Sequence, residues 1–256
     1  LKLLHVDPKR RAPIPTATTL TLIKQAIELK KFHIYDVGED MKFVRPSYGQ
    51  TLQLTYFQNN IVHLFALPAL LANIILRNGH ILREDIRSHA RSLFYCLRHE
   101  LFAPVDEEDL DNLIDKYLDT FLVEGYITRD ADMIFVSGDG YQEFFILSRC
   151  IYHNLIRYLV AATALKNTKD GTINVQTFVD KCIAYSKRLP IEVTNNSPEF
   201  ADPILFKIMC DTFIRHKYFE VKEDGNIYVN EEKVQKLNRA ASPLLGARDV
   251  RILNGR

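Results

Sequence analysis

The stretch from Ile61 to Leu76, IVHLFALPALLANIIL, constrains the fold more than any other part of the chain. Nearly every side chain in it is apolar, so it must be enclosed by protein on all sides or lie against lipid. It contains His63, Pro68 and Asn73. It is also shorter than the roughly 20 residues that span a bilayer. A core helix is the expected form, with an interfacial membrane segment as the alternative. That helix is expected from about Gln50 to Arg77, kinked at Pro68, which lacks an amide donor and clashes with the preceding turn. Asn78 and Gly79 are suited to end it.

A core helix of this kind needs amphipathic neighbours, and the sequence supplies them. Thr18 or Thr19 caps a first helix reaching about Lys30, and two extended pieces, 33–37 and 41–44, flank Gly38. A helix from about Arg83 to Leu101 places Ile86, Ala90, Leu93, Leu97 and Leu101 on one face. Asp106 is the expected cap of a further helix, in which Leu110, Leu113, Ile114, Tyr117, Leu118, Phe121 and Leu122 keep three–four spacing. The segment Tyr126 to Val136 reads as a β-hairpin. Residues Tyr141 to Lys166 read as one helix, apolar nearly all round and therefore central. After a break at Gly171, helices are expected over 175–187 and 198–217, the second opened by Ser197 and Pro198. A second hairpin, Tyr218 to Val229, turns at Asp224 and Gly225, and the chain beyond Asn238 reads as irregular and mildly basic.

Two of these segments match. DTFLVEGYITRDADMIFV (119–136) and DTFIRHKYFEVKEDGNIYV (211–229) are each a helix end, an aromatic at the junction and a charged hairpin. AIELKKFHIYDVGEDMKFV (26–44) is a fainter third copy. Helices followed by a hairpin form the pattern of a winged-helix unit. The expected fold is therefore mainly α with short β-hairpins (α+β), a helical platform with winged-helix-like units. The expected divisions are a linker over 1–17, a helical domain over 18–166, a second helix–hairpin unit over 167–238 and an irregular basic tail over 239–256.

For chemistry the chain offers little. It has no glycine-rich phosphate loop, no nucleophile elbow and no zinc-protease motif. The eight histidines show no metal-ligand spacing, and neither a metal nor a cofactor is expected. Cys96, Cys150, Cys182 and Cys210 are far apart in apolar stretches and read as free thiols of a reducing compartment. His80 and Asp85 fit H-x-x-x-x-D, a spacing at which a carboxylate orients a histidine base. They fall where the chain turns into a helix, and there Asp85 reads better as an acid favoured by the helix dipole. Lys and Arg number 33 against 32 Asp and Glu, a net charge of +1, which argues against a nucleic-acid binder. The helix over 107–125 argues the same way: Glu107, Glu108, Asp109, Asp111, Asp115 and Asp119 would repel phosphate.

The most distinctive polar feature is the quartet Tyr56, Asn59, Asn60 and His63, at i, i+3, i+4 and i+7 on one helix face. Buried amides need partners, since an unpaired one costs about 1–3 kcal/mol. The quartet is therefore either a hydrogen-bond network that fixes helix packing, or a domain contact or ligand-pocket edge.

The segment that carries the quartet, LTYFQNNIVHLFALPALLA (54–72), is very similar to the signature in the C-terminal region of bacterial membrane-bound glycerol-3-phosphate 1-O-acyltransferases. IKQAIELKKF upstream, and HILRED, HELF (99–102) and EGYIT (124–128) downstream, fall in that family's order and spacing. The resemblance is clear over about 18–166 and weakens through 230. It implies an enzyme that moves a fatty acyl group from acyl-carrier protein (acyl-ACP) or acyl-CoA to the 1-hydroxyl of glycerol 3-phosphate, giving lysophosphatidic acid for phospholipid biosynthesis. It also implies that the catalytic H-x-x-x-x-D lies upstream, so no catalytic residue is assigned here. The chain, which begins with Leu, reads as cut from a longer one and as inactive alone. It would pack on the upstream acyltransferase domain at the cytoplasmic face of the bacterial inner membrane, attached peripherally. Lys9, Arg10, Arg11, Arg248 and Arg251 are candidates to meet anionic lipid, against the simpler reading of solvated surface. Two alternatives stand beside this: a winged-helix-type protein-interaction module with no enzymatic role, and a self-sufficient enzyme using His80 and Asp85.

Overall fold

The computed structural model describes residue 6 and residues 17–36, 42–103, 105–106, 108–194, 198–244 and 247–253, without the side chains of 48, 52, 55–59, 198, 199, 244 and 247. Most of the expected linker (with Lys9, Arg10 and Arg11), Gly38, Glu107, Ser197 and Arg256 lie outside the described residues. The chain divides into two compact units, Leu1–Leu64 and Phe65–Arg256.

The first unit opens with α1 (Thr19–Glu28), whose cap Thr18 accepts the Thr21 amide at 3.3 Å. Strands β1 (His33–Asp36) and β2 (Lys42–Arg45) follow as an antiparallel pair, Ile34 opposite Val44 and Tyr35 opposite Phe43. Helix α2 runs from Tyr48 to Asn78. It starts two residues before the expected Gln50 because that side chain reaches back to the Ser47 amide (3.0 Å) and hydroxyl (2.8 Å). The helix continues through Pro68. The boundary between the units, Leu64/Phe65, falls where the missing Pro68 amide leaves the Leu64 carbonyl without its helical donor.

In the second unit the chain continues as β3 (His80–Leu82), α3 (Arg83–Glu100), α4 (Leu110–Val123), β4 (Ile127–Asp130) and β5 (Met133–Val136). Next come α5 (Tyr141–Arg149), α6 (Tyr152–Lys166), α7 (Val175–Ser186), α8 (Ile191–Thr194) and α9 (Pro203–Arg215), a 3-10 turn (Pro198–Ala201) preceding α9. Then β6 (Phe219–Val221), β7 (Ile227–Val229), α10 (Glu231–Ala241) and α11 (Ala247–Leu253) complete the order. The fold is mainly helical with small antiparallel sheets, as expected.

Four differences from the sequence reading have identifiable causes. The helix expected from Asp106 begins at Leu110, after a turn in which the Asp109 amide bonds the Asp106 carbonyl at 3.1 Å. The single helix expected over 141–166 is two, α5 and α6. Asn73 Nδ2 donates to the Ser148 carbonyl at 2.6 Å, engaging the group that would otherwise accept the Tyr152 amide. The helix expected from Pro198 starts at Pro203. Proline holds Asp202 extended (ψ 124°), and the Asp202 side chain caps the Ile204 amide at 2.8 Å. The tail beyond Asn238 is helical rather than irregular. Asn230 caps α10, Val234, Leu237, Ala240 and Ala241 are buried, and Leu253 of α11 is 1% exposed.

The two matching segments fold alike. In the first, the order is helix (α2), strand (β3), two helices (α3, α4) and hairpin (β4, β5), with sheet order β3-β5-β4. In the second, α6 leads to a strand stub at Ile173–Asn174, then α7, α9 and the β6–β7 hairpin. The stub lies beside β7, where Ile227 donates to the Ile173 carbonyl at 2.8 Å and Asn174 bridges Asn226. The closing helices end identically. Tyr126 donates to the Phe121 carbonyl (2.9 Å) and Tyr218 to that of Phe213 (2.8 Å). The preceding residue is left-handed in both, Gly125 at φ +73° and Lys217 at φ +57°. Helix α1 ends the same way, with Lys30 at φ +54° and Lys31 bonded to the Ala26 carbonyl.

Helix α3 joins the repeats. Glu100 Oε1 accepts from Asn154 Nδ2 (2.7 Å) and Arg157 Nη2 (2.8 Å) of α6, and the Glu100 and Arg157 side chains are only 10% and 9% exposed. Tyr158 donates to the Cys96 carbonyl at 2.9 Å, and burial pushes the Cys96 thiol up to about 12. On its outer side α3 meets α4 through a ladder. Arg83 bonds Asp115 and Asp119, Arg87 bonds Asp115 and Glu84, and Arg91 bonds Asp111. The Arg91 guanidinium holds the Asp111 carboxyl below its ordinary range.

The two electrostatic contacts should differ in weight. Glu100→Ala strands a buried guanidinium and is expected to cost about 3 kcal/mol or more. Asp115→Ala, in a part-exposed ladder, is expected to cost about 1 kcal/mol. Urea midpoints measure both, and an equal loss would refute this ranking. Next to the seam, burial and the charges of Arg157 and Arg149 depress the His153 pKa to about 4 from 6.5. The unfolded chain therefore takes up the proton first. Stability from this site is complete above about pH 6.5 and is lost as pH falls toward about 4. His153→Gln should flatten that part of a stability–pH curve, and an unchanged slope would assign it to other groups.

Candidate docking surface

Helix α2 changes character along its length. From Ala66 to Ile75 every residue is buried, with Ala66, Ala69, Leu70, Leu71, Ala72 and Ile75 at 0% exposure. Asn73 lies inside this stretch and is satisfied by the Ala69 carbonyl at 2.8 Å as well as by Ser148. By length and composition, Asn60–Asn78 is apolar enough to cross a membrane. In the fold its larger part is core.

The quartet sits on the other half. All four residues fall within α2 at helical spacing. The side chains of Tyr56 and Asn59 lie outside the description, Asn60 is exposed and His63 is half-buried. Ile61, beside Asn60, is 51% exposed.

The rest of the first unit is equally open. No residue of α1 is buried, although the helix is amphipathic, and Leu20 and Leu29 are 67% and 70% exposed. On the hairpin, Ile34 and Val44 form one cross-strand pair and Tyr35 and Phe43 the next, so they point to opposite faces. Ile34, Phe43 and Val44 are all exposed, leaving apolar side chains uncovered on both faces. A two-stranded hairpin has little stability of its own. The side-chain links of this unit include Lys31 Nζ to Gln53 Oε1 (3.1 Å), Arg45 over the Tyr35 ring (4.3 Å) and Lys42 with Asp36 (3.9 Å). From sequence these pieces read as a fainter third helix–hairpin copy, with no docking role attached. Their alternating pattern is the same whether the apolar side meets the chain's own core or another body.

The acid–base pair is not built as a site. His80 lies on β3, exposed and stacked on Phe135 (6.2 Å between centroids). Asp85 is exposed in the first turn of α3, as a dipole-favoured acid would be. Among the described residues, no three His, Cys, Asp or Glu side chains are grouped to hold a metal. Cys96, Cys182 and Cys210 are buried free thiols, and Cys150 is half-buried. The acidic face of α4 is not the bare charge that the sequence suggested, because the α3 arginines neutralise Asp111, Asp115 and Asp119. The signal for this was present: arginines at 83, 87 and 91 and aspartates at 111, 115 and 119 share a four-residue period. Arg248 and Arg251 are exposed on α11.

Comparison with known proteins adds a second line to this geometry. The family model described as the glycerol-3-phosphate acyltransferase C-terminal region matches residues 1–222. Among curated relatives, the glycerol-3-phosphate acyltransferase of Pseudomonas entomophila is 28% identical over 76% of this chain and 24% of its own length. That of Pseudomonas fluorescens is 30% identical over 76% of this chain and 24% of its own. That of Pseudomonas savastanoi pv. phaseolicola is 32% identical over 63% of this chain and 20% of its own. The chain thus spans about a quarter of the length of the curated relatives it matches. The family match runs through both halves of α2 and reaches the β6 strand, and on that extent the chain belongs to the family of glycerol-3-phosphate acyltransferase C-terminal regions.

Proposed function

We propose that this chain is the non-catalytic C-terminal domain of a glycerol-3-phosphate 1-O-acyltransferase, seated on the upstream domain that performs the acyl transfer. The observation that carries the reading is the first unit: an amphipathic helix with nothing buried, and a hairpin apolar on both faces. Such surface costs solvation free energy unless something covers it, at about 25 cal/mol per Å². A relative four times as long provides a body to cover it.

In this reading Tyr56, Asn59, Asn60 and His63 form the polar centre of the contact. Leu20, Leu29, Ile34, Phe43 and Ile61 supply the apolar surround. Acyl-ACP or acyl-CoA and glycerol 3-phosphate bind the full enzyme, and lysophosphatidic acid leaves it to enter phospholipid biosynthesis. The assembly works at the cytoplasmic face of the bacterial inner membrane as a peripheral protein, with Arg248 and Arg251 available to anionic headgroups at about 1 kcal/mol each. No nucleic acid, metal or cofactor enters the reading.

A second reading has its own support. The order helix–strand–helix–helix–hairpin, with the first strand paired to the last, occurs twice, the second time with the short α8 and a 3-10 turn inserted between its two helices. That is the order of a winged-helix unit, and such units serve as protein-interaction modules without an enzymatic role.

The test is to express this chain and the upstream part of a relative separately and to assay acyl transfer to glycerol 3-phosphate. This chain alone should be silent, and the upstream part should capture it. Ile61→Glu should abolish capture and Asn60→Ala weaken it. In the full-length enzyme His80→Ala should leave turnover unchanged. Turnover from this chain alone, or its loss in His80→Ala with folding intact, would place catalysis within these residues. Capture indifferent to both α2 substitutions would move the contact elsewhere and favour the module reading.

A further inference from the structure

We infer that the outer face of α9 pairs with the same face of a second copy of this chain. Helix α9 turns Phe206, Met209, Cys210, Thr212 and Phe213 inward. Outward it presents Ile204, Ile208 and Ile214, which are 64%, 43% and 42% exposed. Lys207 and Asp211 lie between them, also exposed. Three isoleucines on the solvent side of one short helix form an apolar patch rimmed by charge, the composition of a contact surface.

The repeat sets α9 apart from its counterpart. Its counterpart in the first repeat, α4, has its outward aspartates covered by the arginines of α3. The helix that takes the place of α3 in the second repeat is α7, VQTFVDKCIAYS, which contains no arginine. Among the described residues the fold supplies arginines to cover α4, and none of α7 does the same for α9.

The arrangement of charge selects the occupant. Lys207 and Asp211 are one turn apart and of opposite sign. Antiparallel pairing about a two-fold axis level with Met209 brings Lys207 of each copy opposite Asp211 of the other, twice over. It also brings Ile204 of one copy toward Ile214 of the other, with both Ile208 side chains near the axis. Parallel pairing in register would set like charges level. A surface that complements itself under a two-fold operation is what a closed dimer requires. Arg215, exposed on the same side, contacts His99 of α3 at 3.1 Å and lies outside this pairing. With one helix per copy the interface is small, so the affinity should be about micromolar or weaker.

The experiment is sedimentation velocity of this chain over a range of concentrations, with thermal melts confirming that each variant stays folded. A concentration-dependent dimer is expected, and Ile208→Glu should give a monomer throughout. Lys207→Glu and Asp211→Lys should each weaken the dimer about tenfold, and the double variant should recover it. A monomer at every concentration overturns the inference, as does a dimer that the double variant fails to restore. If the chain is monomeric and Ile208→Glu instead abolishes capture by the upstream acyltransferase part, α9 faces that part and self-pairing is wrong.

Discussion

An α-helix that is apolar on every side has no face to offer water, and α6 is such a helix: every residue from Leu155 to Leu165 is buried. The rest of the larger unit follows from the need to enclose it. Helices α3, α7, α9 and α10 all pack against it. The one charge it carries into the interior, Arg157, is met by Glu100 from α3. A buried ion pair is a poor source of net stability, since desolvation offsets most of the attraction. Its geometry is demanding, however. Glu100, Asn154 and Arg157 can all meet only if α3 lies on α6 in one register, which makes this pair a device that selects a single packing of the two repeats.

The repeats themselves show one backbone plan carrying different surface chemistry. Both bury the phenylalanine of their DTF segment completely, and both follow it with a left-handed residue and a tyrosine. In the first repeat a glycine takes the left-handed position at little cost. In the second, Lys217 takes it against a steric penalty of about 1 kcal/mol. Such a residue persists because both flanks are fixed, by Phe213 at 0% exposure and by the Tyr218 amide on the Phe213 carbonyl. The outward faces have diverged further. The first repeat neutralises acids with arginines inside the chain, and the second leaves isoleucines open.

The elements legible in the sequence were those whose signal is local. The α3 and α4 stripes, both hairpins and the stop at Gly79 follow from periodicity and turn chemistry, and each was found close to its expected place. Those missed depend on distant partners. Nothing within 141–166 announces the break near Cys150, because the group responsible, Asn73, is far away in sequence. The three-residue strand β3 exists only because β5 pairs with it. Helix α10 was overlooked because alanines make up half of its buried stripe, a weak hydrophobic signal. At the candidate surface the limit is of another kind. The spacing of Asn60 and His63 is a property of the sequence, but whether a face is covered depends on the assembled structure.

In the proposed reading, that distinction bears on how a domain that carries no chemistry of its own serves an acyltransferase. An acyltransferase must hold a long apolar chain and a charged acceptor in register, and the entropy of that arrangement has to be met by rigid surroundings. The larger unit is closely packed, with a buried ion pair between its two repeats and a core helix enclosed by its neighbours. In the smaller unit, by contrast, no residue of α1 is buried and the hairpin exposes apolar side chains on both faces. Helix α2 belongs to both, and it changes from one to the other one turn before Pro68. The proposed role is one of docking: the open elements of the smaller unit are offered to the domain carrying the chemistry.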